Sequence, residues 1–409
     1  MEYPVIIIGG GPAGSICSLH LSMAGIAHLI LESSSFPREK ACADILTSKA
    51  IREIGKADPL LEKQIQLLPS YNEIWGTTVQ IGSKHALDIP YKGMDGRQGI
   101  PSCIAVRRAE LDELLWRTAS GKDSCTALEN MHVGHIVKSG ALYRINCKDQ
   151  TSFTTSHIVL ATGSLEKLTK NLGFKKVRTD RHTALGLRAY FTEVKGLQTD
   201  RCELFLNKDS MPGGFYIAPL GDGSCNVNVV LRKDLVKKKD LNLKKVMEEF
   251  YTHNPSLIQR FKDARSESPA IGQALHLGTM KSMRYHDSIF LCGDAGGLID
   301  LISANGIPQA LCSARLASQA IKGIIHGSFQ SDEAGTWFEA ELEQQIASDM
   351  KIGRMLSPWM SMDWFNSLIL GAMTRAQGNS EQPFLQELLY SDDPWKTMLN
   401  HLNPLKSHI

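Results

Sequence analysis

Apolar residues fall in short bursts along this chain, and the rhythm of the bursts changes from one region to the next. Pro4 to Ile8 is a brief continuous apolar run that predicts a buried strand. From Ile16 to Ala24 apolar positions recur at helical spacing, and His28 to Leu31 is again a short run. Phe36 to Ala43 reads as a loop and Leu46 to Ile54 as a helix; Glu73 to Ile81 and Lys84 to Ile89 read as strands. A helix starts at Arg107-Arg108 and reaches about Ala119. Strand-like stretches run from about Met131 to Phe153 and close with His157 to Ala161 before the turn Thr162-Gly163-Ser164. From Thr183 to Leu231, alternation and turn glycines predict a second, antiparallel sheet. Leu241 to Tyr251 is helical, the chain returns to its first domain near Leu275, and Ser288 to Cys292 is another apolar strand. Asn305-Gly306-Ile307 opens a long helix to about Ile325, and the remainder beyond Phe329 reads as helices.

The joint between the first strand and first helix is glycine-rich: Gly9, Gly11 and Gly14 lie in the turn, with Pro12 and Ala13 between them. In such a unit the first glycine permits the tight turn and the second lets backbone approach a pyrophosphate. The third lets helix and strand pack closely while the helix N-terminus faces the phosphates. Glu32, at the end of the second strand, is placed to accept hydrogen bonds from a ribose diol, and its charge would repel a 2'-phosphate. The site therefore predicts FAD or NAD and not NADP.

The segment Phe290 to Gly297 decides between them. Gly293-Asp294 follows the later strand, where Asp294 can hydrogen-bond a ribitol and pyrophosphate region. The helix opening at Asn305, Gly306 and Ile307 can direct N–H groups at the pyrimidine edge of a flavin. An NAD site needs no such distant element, so the pair predicts FAD. The fold class follows: α/β, a Rossmann-type FAD-binding domain (1–70, 100–180 and 270–330) interleaved with an antiparallel-sheet substrate domain (71–99 and 181–269). A helical C-terminal region covers 331–409. No internal repeat or low-complexity linker interrupts this order.

Composition narrows the class further. With 409 residues the chain can bury a large core, and its net charge of +2 gives no argument for nucleic acid. The chain enters its first strand without a signal-peptide pattern, and its apolar runs are too short to span a bilayer. Nine cysteines without CxxC spacing read as reduced thiols of a cytoplasmic protein. His132 and His135 have no further ligand types nearby, so no metal is expected. Lys237 to Lys239 with Lys244-Lys245 read as a solvated helix start.

Both glycine segments, together with Arg108-x-x-Leu-Asp112, resemble the FAD-dependent oxidoreductases related to geranylgeranyl reductases and flavin-dependent halogenases, which share the aromatic hydroxylase fold. Phe36-Pro37-Arg38-Glu39-Lys40-Ala41-Cys42-Ala43-Asp44-Ile45-Leu46 is similar to the F-P-R-x-K-x-C-G-x-x-L loop of the reductases, with Ala43 in place of the family glycine. The resemblance places Cys42 near the flavin. Gly213 to Pro219 followed by Asn226 to Val229 is similar to the reductase sheet motif, although Gly214 and Tyr216 stand where that motif has tyrosine and tryptophan. Gly297 to Gly306 is closer to halogenases, yet no tryptophan occurs between Phe215 and Pro219, which argues against halogenation.

The resemblance implies a reductase of prenyl-type double bonds acting on a hydrophobic or conjugated substrate over Phe215 and Tyr216. The alternative is a monooxygenase that hydroxylates an aromatic group, carrier- or protein-bound. Thr162-Gly163 stands where hydroxylases carry Asp-Gly, which argues against a resident NAD(P)H site; the electron donor is then transiently bound NAD(P)H or a separate flavin reductase. Arg108 reaches the FAD pyrophosphate or ribose, or else pairs with Glu110 or Asp112 at the surface. Cys42 donates a proton to substrate or packs as a small hydrophobe, and adjacent Lys40 favours its thiolate. Met355 to Met373 forms a wall against a greasy substrate, a peripheral membrane contact, or a helix packed into the core.

Overall fold

The structure, a computed structural model, describes residues 1–82, 85–90, 103–164, 168–169, 172–174, 179–207, 210–211, 213–278, 282–301, 304–356, 358–367 and 371. The apolar run Val5 to Ile8 is buried because its strand, Glu2–Ile8, lies inside a parallel sheet covered on both faces. Five parallel strands follow in the order Ile289–Leu291, Ser152–Leu160, Glu2–Ile8, His28–Leu31 and Cys125–Leu128. Tyr285–His286 pairs antiparallel at one edge, and Leu142–Cys147 with Val133–Ser139 continues antiparallel from Ser152–Leu160. The pattern of residues does not reveal Cys125–Leu128, which at four residues, three partly buried and one exposed, is too short to show a period.

On one face, helix Pro12–Met23 packs against Ile307–Ile325 and Arg108–Ser120 around Ile16, Leu19, Leu111, Leu115, Leu311 and Ala314. Helix Ser331–Leu356 closes over Ile307–Ile325 with Phe338, Leu342 and Ile346. The helix predicted from Leu46 starts later. Ile45–Thr47 is drawn into a strand against Cys103–Ala105, and Ser48–Ala57 begins behind Thr47, whose hydroxyl accepts the Ala50 N–H.

The second sheet runs Arg265–Ser266, Thr183–Thr192, Cys225–Arg232, Gly213–Pro219, Arg201–Leu206, Gly76–Ile81 and His85–Pro90. Its pairs are antiparallel except Arg201–Leu206 with Gly76–Ile81. Ile271–His276 also pairs with Thr183–Thr192, so the chain stays in this sheet through Leu275 and rejoins the first at Tyr285. Because side chains alternate along a strand, the sheet has two distinct faces. Leu187, Phe191, Phe215, Ile217, Val227 and Val229 pack with Met247 and Phe250 of helix Leu243–His253. The opposite parity, including Tyr190, Tyr216, Ala218 and Asn226, meets Ile74, Cys103 and the loop before Ile45.

Candidate active site at the sheet edge

Backbone hydrogen bonds gather the predicted motifs at one place. Gly9 N–H donates to the Leu31 carbonyl (2.8 Å), Ala161 N–H to Ile8 (2.9 Å) and Cys292 N–H to Leu160 (3.0 Å). Gly9 to Gly14, Glu32, Thr162-Gly163 and Gly293-Asp294 therefore share the C-terminal edge of the parallel sheet, where open α/β sheets bind ligands. The glycines there have different duties. Gly9 has φ +106°, and a Cβ on it would lie 2.3 Å from the Ala161 carbonyl oxygen. A Cβ on Gly14 would lie 1.8 Å from the Gly9 oxygen, so both positions are closed by the protein itself. A Cβ on Gly11 would meet only the Arg38 guanidinium, at 3.1 Å. Gly11 is also the N-cap of Pro12–Met23 and supplies no side-chain cap, so the first-turn N–H groups suit a phosphate.

Glu32 is buried and held by backbone. One carboxylate oxygen accepts the Gly10 N–H at 2.8 Å; the other accepts the Ser34 N–H at 2.9 Å and the Ser33 hydroxyl at 3.1 Å. Arg38 stands 3.8 Å from Glu32 and 3.4 Å from Asp112. The guanidinium beside Gly11 is thus that of Arg38. Arg108 is turned inward, with its Nε and Nη2 donating to Asp112 at 2.9 Å each and its backbone N–H to Asp44 at 3.3 Å. This is a buried ion pair, not the surface bridge expected as the alternative, and Glu110 is engaged by Ser70.

Lys40 Nζ lies 3.4 Å from Asp294 and would lie 3.6 Å from a Cβ on Gly163, so it ties Thr162-Gly163 to the second glycine segment. Asp294 in turn faces Gly306, whose Cβ would be 3.5 Å from its Oδ1. Asn305 accepts the Asp300 N–H at 3.0 Å, and helix Ile307–Ile325 starts at Gly306 without a side-chain cap. Two uncapped helix N-termini, a ribose-competent acid, two cations and the open approach at Gly11 fit FAD.

The Phe36 to Asp44 loop also serves the sheet. Cys42 is partly buried; its sulfur accepts the Asp44 N–H at 3.3 Å, and its backbone oxygen accepts Asn226 Nδ2 at 2.8 Å. Burial pushes the thiol up, outweighing the Arg108 guanidinium that acts the other way. Lys40, read from sequence as favouring thiolate, is instead engaged with Asp294. Asp44 has φ +63° and is buried; its Oδ2 accepts from Tyr190 Oη and Asn226 Nδ2, each at 2.7 Å. Burial pushes its carboxyl up to about 7 despite these hydrogen bonds. The left-handed residue is therefore Asp44 and not Ala43, where the family glycine aligns.

Phe215 does not join Tyr216. It stacks on Phe250 at 4.1 Å on the helix-covered face, as alternation along the strand requires, so only Tyr216 faces the first domain. Arg38, Asp44, Arg188 and Tyr190 were not singled out as site residues from sequence. The signal for the last two was their shared parity in an otherwise apolar strand. Of the Met355 to Met373 stretch, Trp359, Met362 and Trp364 are exposed and the two tryptophans meet edge to face at 5.9 Å; Ile369 lies outside the described residues.

A family model described as an FAD binding domain matches residues 2–307. The chain belongs to that family. This flavoprotein is 27% identical to conditioned medium factor receptor 1 of Dictyostelium discoideum over 78% of the chain, and spans 63% of that protein's length. It is 24% identical to a menaquinone reductase of Mycolicibacterium smegmatis (88% of the chain, 85% of the relative). It is 26% identical to 1H-pyrrole-2-carbonyl-[peptidyl-carrier protein] brominase of Pseudoalteromonas luteoviolacea (85% and 84%). The crystal structure of a geranylgeranyl bacteriochlorophyll reductase-like protein from Thermoplasma acidophilum superposes with a TM-score of 0.79 at 17% identity, covering 98% of this chain and 99% of that one. The flavoprotein is an FAD-dependent oxidoreductase, and its fold is that of the geranylgeranyl bacteriochlorophyll reductase-like protein. Among its described residues no helix is long and apolar enough to cross a membrane.

Proposed function

We propose that this flavoprotein reduces a carbon–carbon double bond of a hydrophobic or conjugated, prenyl-type substrate lying between the second sheet and the cofactor. The observation that carries the reading is the place of the Cys42 thiol, which burial pushes up, on the seam between cofactor cradle and sheet. Bound FAD supplies hydride chemistry. Gly11, Glu32, Arg38, Lys40 and Asp294 would bind and orient the cofactor, and the uncapped helix end at Gly306 would stabilise negative charge on it. Tyr216 borders the substrate, and Cys42 delivers the proton that quenches charge on the second carbon. Electrons come from transiently bound NAD(P)H or a separate flavin reductase, and the protein works in the cytoplasm. The exposed Trp359, Met362 and Trp364 supply a peripheral contact for a membrane-borne substrate.

A second reading, hydroxylation of an aromatic group on a small molecule or a carrier, draws support from the brominase relative, whose name specifies a carrier-bound pyrrole. Cys42→Ser separates the two. FAD content and flavin reduction should be unchanged while reduction of a prenyl substrate slows by about 10²–10⁴-fold, the worth of general acid catalysis. Steady-state product formation and flavin bleaching, measured separately, check this; unchanged turnover removes the thiol from the mechanism.

A further inference from the structure

The face of the second sheet turned toward the Phe36 to Asp44 loop is charged at one end and apolar at the other. Arg188, Asn228 and Tyr216 lie in one row across three adjacent strands. The next row is Gly186, Val230 and Gly214, two of its three positions lacking a side chain. Beyond it Val230 and Leu275 pack beside Ala184, Leu277 and Ile299, next to the Gly306 end of the cofactor site. Four residues of strand separate Arg188 from Ala184, a span of about 13 Å.

Arg188 is only 1% exposed. Its guanidinium lies 4.0 Å from the centroid of the Tyr190 ring, which Arg107 also approaches at 4.3 Å and whose hydroxyl is fixed by Asp44 at 2.7 Å. Nη2 pairs with Glu39, a residue about half exposed on the loop. Nε and Nη1 are buried and have no hydrogen-bond partner among the described residues. A buried guanidinium with unmet donors is costly, and burial pulls its pKa down, so Glu39 alone leaves Nε and Nη1 without the acceptors that a buried charge requires. The stacked ring nevertheless holds it in place, ready for a planar or tetrahedral oxyanion.

We propose that Arg188 anchors an anionic head group, carboxylate or phosphate, of an otherwise apolar substrate, with Asn228 and Tyr216 alongside and the tail crossing Gly186, Val230 and Gly214 toward Leu275 and Ile299. The tail's placement rests on the reading that substrate lies between sheet and cofactor; the anchor requires only that a ligand reach Arg188.

The test is titration of the full-length, FAD-loaded protein with geranylgeraniol, geranylgeranoic acid and geranylgeranyl phosphate, which share one tail, read by perturbation of flavin absorbance. The acid, the phosphate or both should bind at least tenfold more tightly than the alcohol, and the order of the two names the head group. Arg188→Gln should bring the anions to the level of the alcohol, and Arg188→Lys should recover part of the preference. Equal affinity for all three in the wild type, no binding of any, or a preference that survives Arg188→Gln overturns the anchor. Should Arg188→Gln fail to retain FAD, the wild-type comparison decides alone. Anion-selective binding without subsequent reduction of the tail would retain the anchor and sink the reductase reading, so the two fail separately.

Discussion

Gly11→Val should leave a folded protein that has lost FAD, whereas Gly14→Ala should lose the fold. At Gly11 a side chain meets only the far end of Arg38, at 3.1 Å, which can swing away. What the new side chain occupies is the approach of the pyrophosphate to the first turn of Pro12–Met23, so binding falls by orders of magnitude while the apoprotein remains helical. At Gly14 a single methyl would sit 1.8 Å from the Gly9 carbonyl oxygen, with no flexible group to yield. Helix and strand would have to separate across the core that contains Ile16 and Ile7. Circular dichroism with flavin content after denaturation checks both. A yellow Gly11→Val protein, or a Gly14→Ala protein of wild-type stability, would contradict the assignment.

The second large effect is a dependence of stability on pH set by Asp44. Its folded-state carboxyl, at about 7, holds its proton more tightly than in the unfolded chain, where the ordinary value is 3.8. Between those values the folded state binds more protons, so stability falls as pH rises from about 4 to about 7 and levels off above. This is the reverse of the usual paired carboxylate. The three-unit difference corresponds to a change on the order of 4 kcal/mol. Asp44→Asn keeps an acceptor for Tyr190 and does not titrate. The unfolding free energy of wild type minus variant, from urea curves across this range, should therefore decline with pH. A flat or rising difference would place the charge of Asp44 in better surroundings than burial among Cys42, Tyr190 and Asn226 provides.

What was legible in the sequence was local. Gly9, Gly11 and Gly14 are fixed by the geometry of one turn, and Glu32 by its place at the end of the next strand, so the FAD domain could be read without its partners. Arg38 and Lys40 were visible as residues of a loop, but their destinations, 112 and 294, lie far along the chain. Arg108 stands at the start of its helix, which made it a candidate ligand; Asp112, one turn on, captures it. The sequence places both Phe215 and Tyr216 under the substrate, but alternation puts them on opposite faces, and which face looks toward the cofactor depends on where helix Leu243–His253 docks. Leu46 and Thr47 belong to the helix that the sequence predicts from Leu46, but the pairing of Ile45–Thr47 with Cys103–Ala105 is non-local and overrides propensity.

On the proposed reductase reading, the reduced flavoprotein adds two hydrogens to a substrate double bond and needs no oxygen. The most direct measurement mixes the dithionite-reduced, desalted protein with a prenyl substrate under nitrogen and determines the product by mass spectrometry after one turnover. The expected product is two mass units heavier and forms, without any oxygen, at the rate at which oxidised flavin absorbance returns. A product that forms only after oxygen is admitted, and that carries 18O from labelled O2, would contradict it and give the protein to the oxygenases.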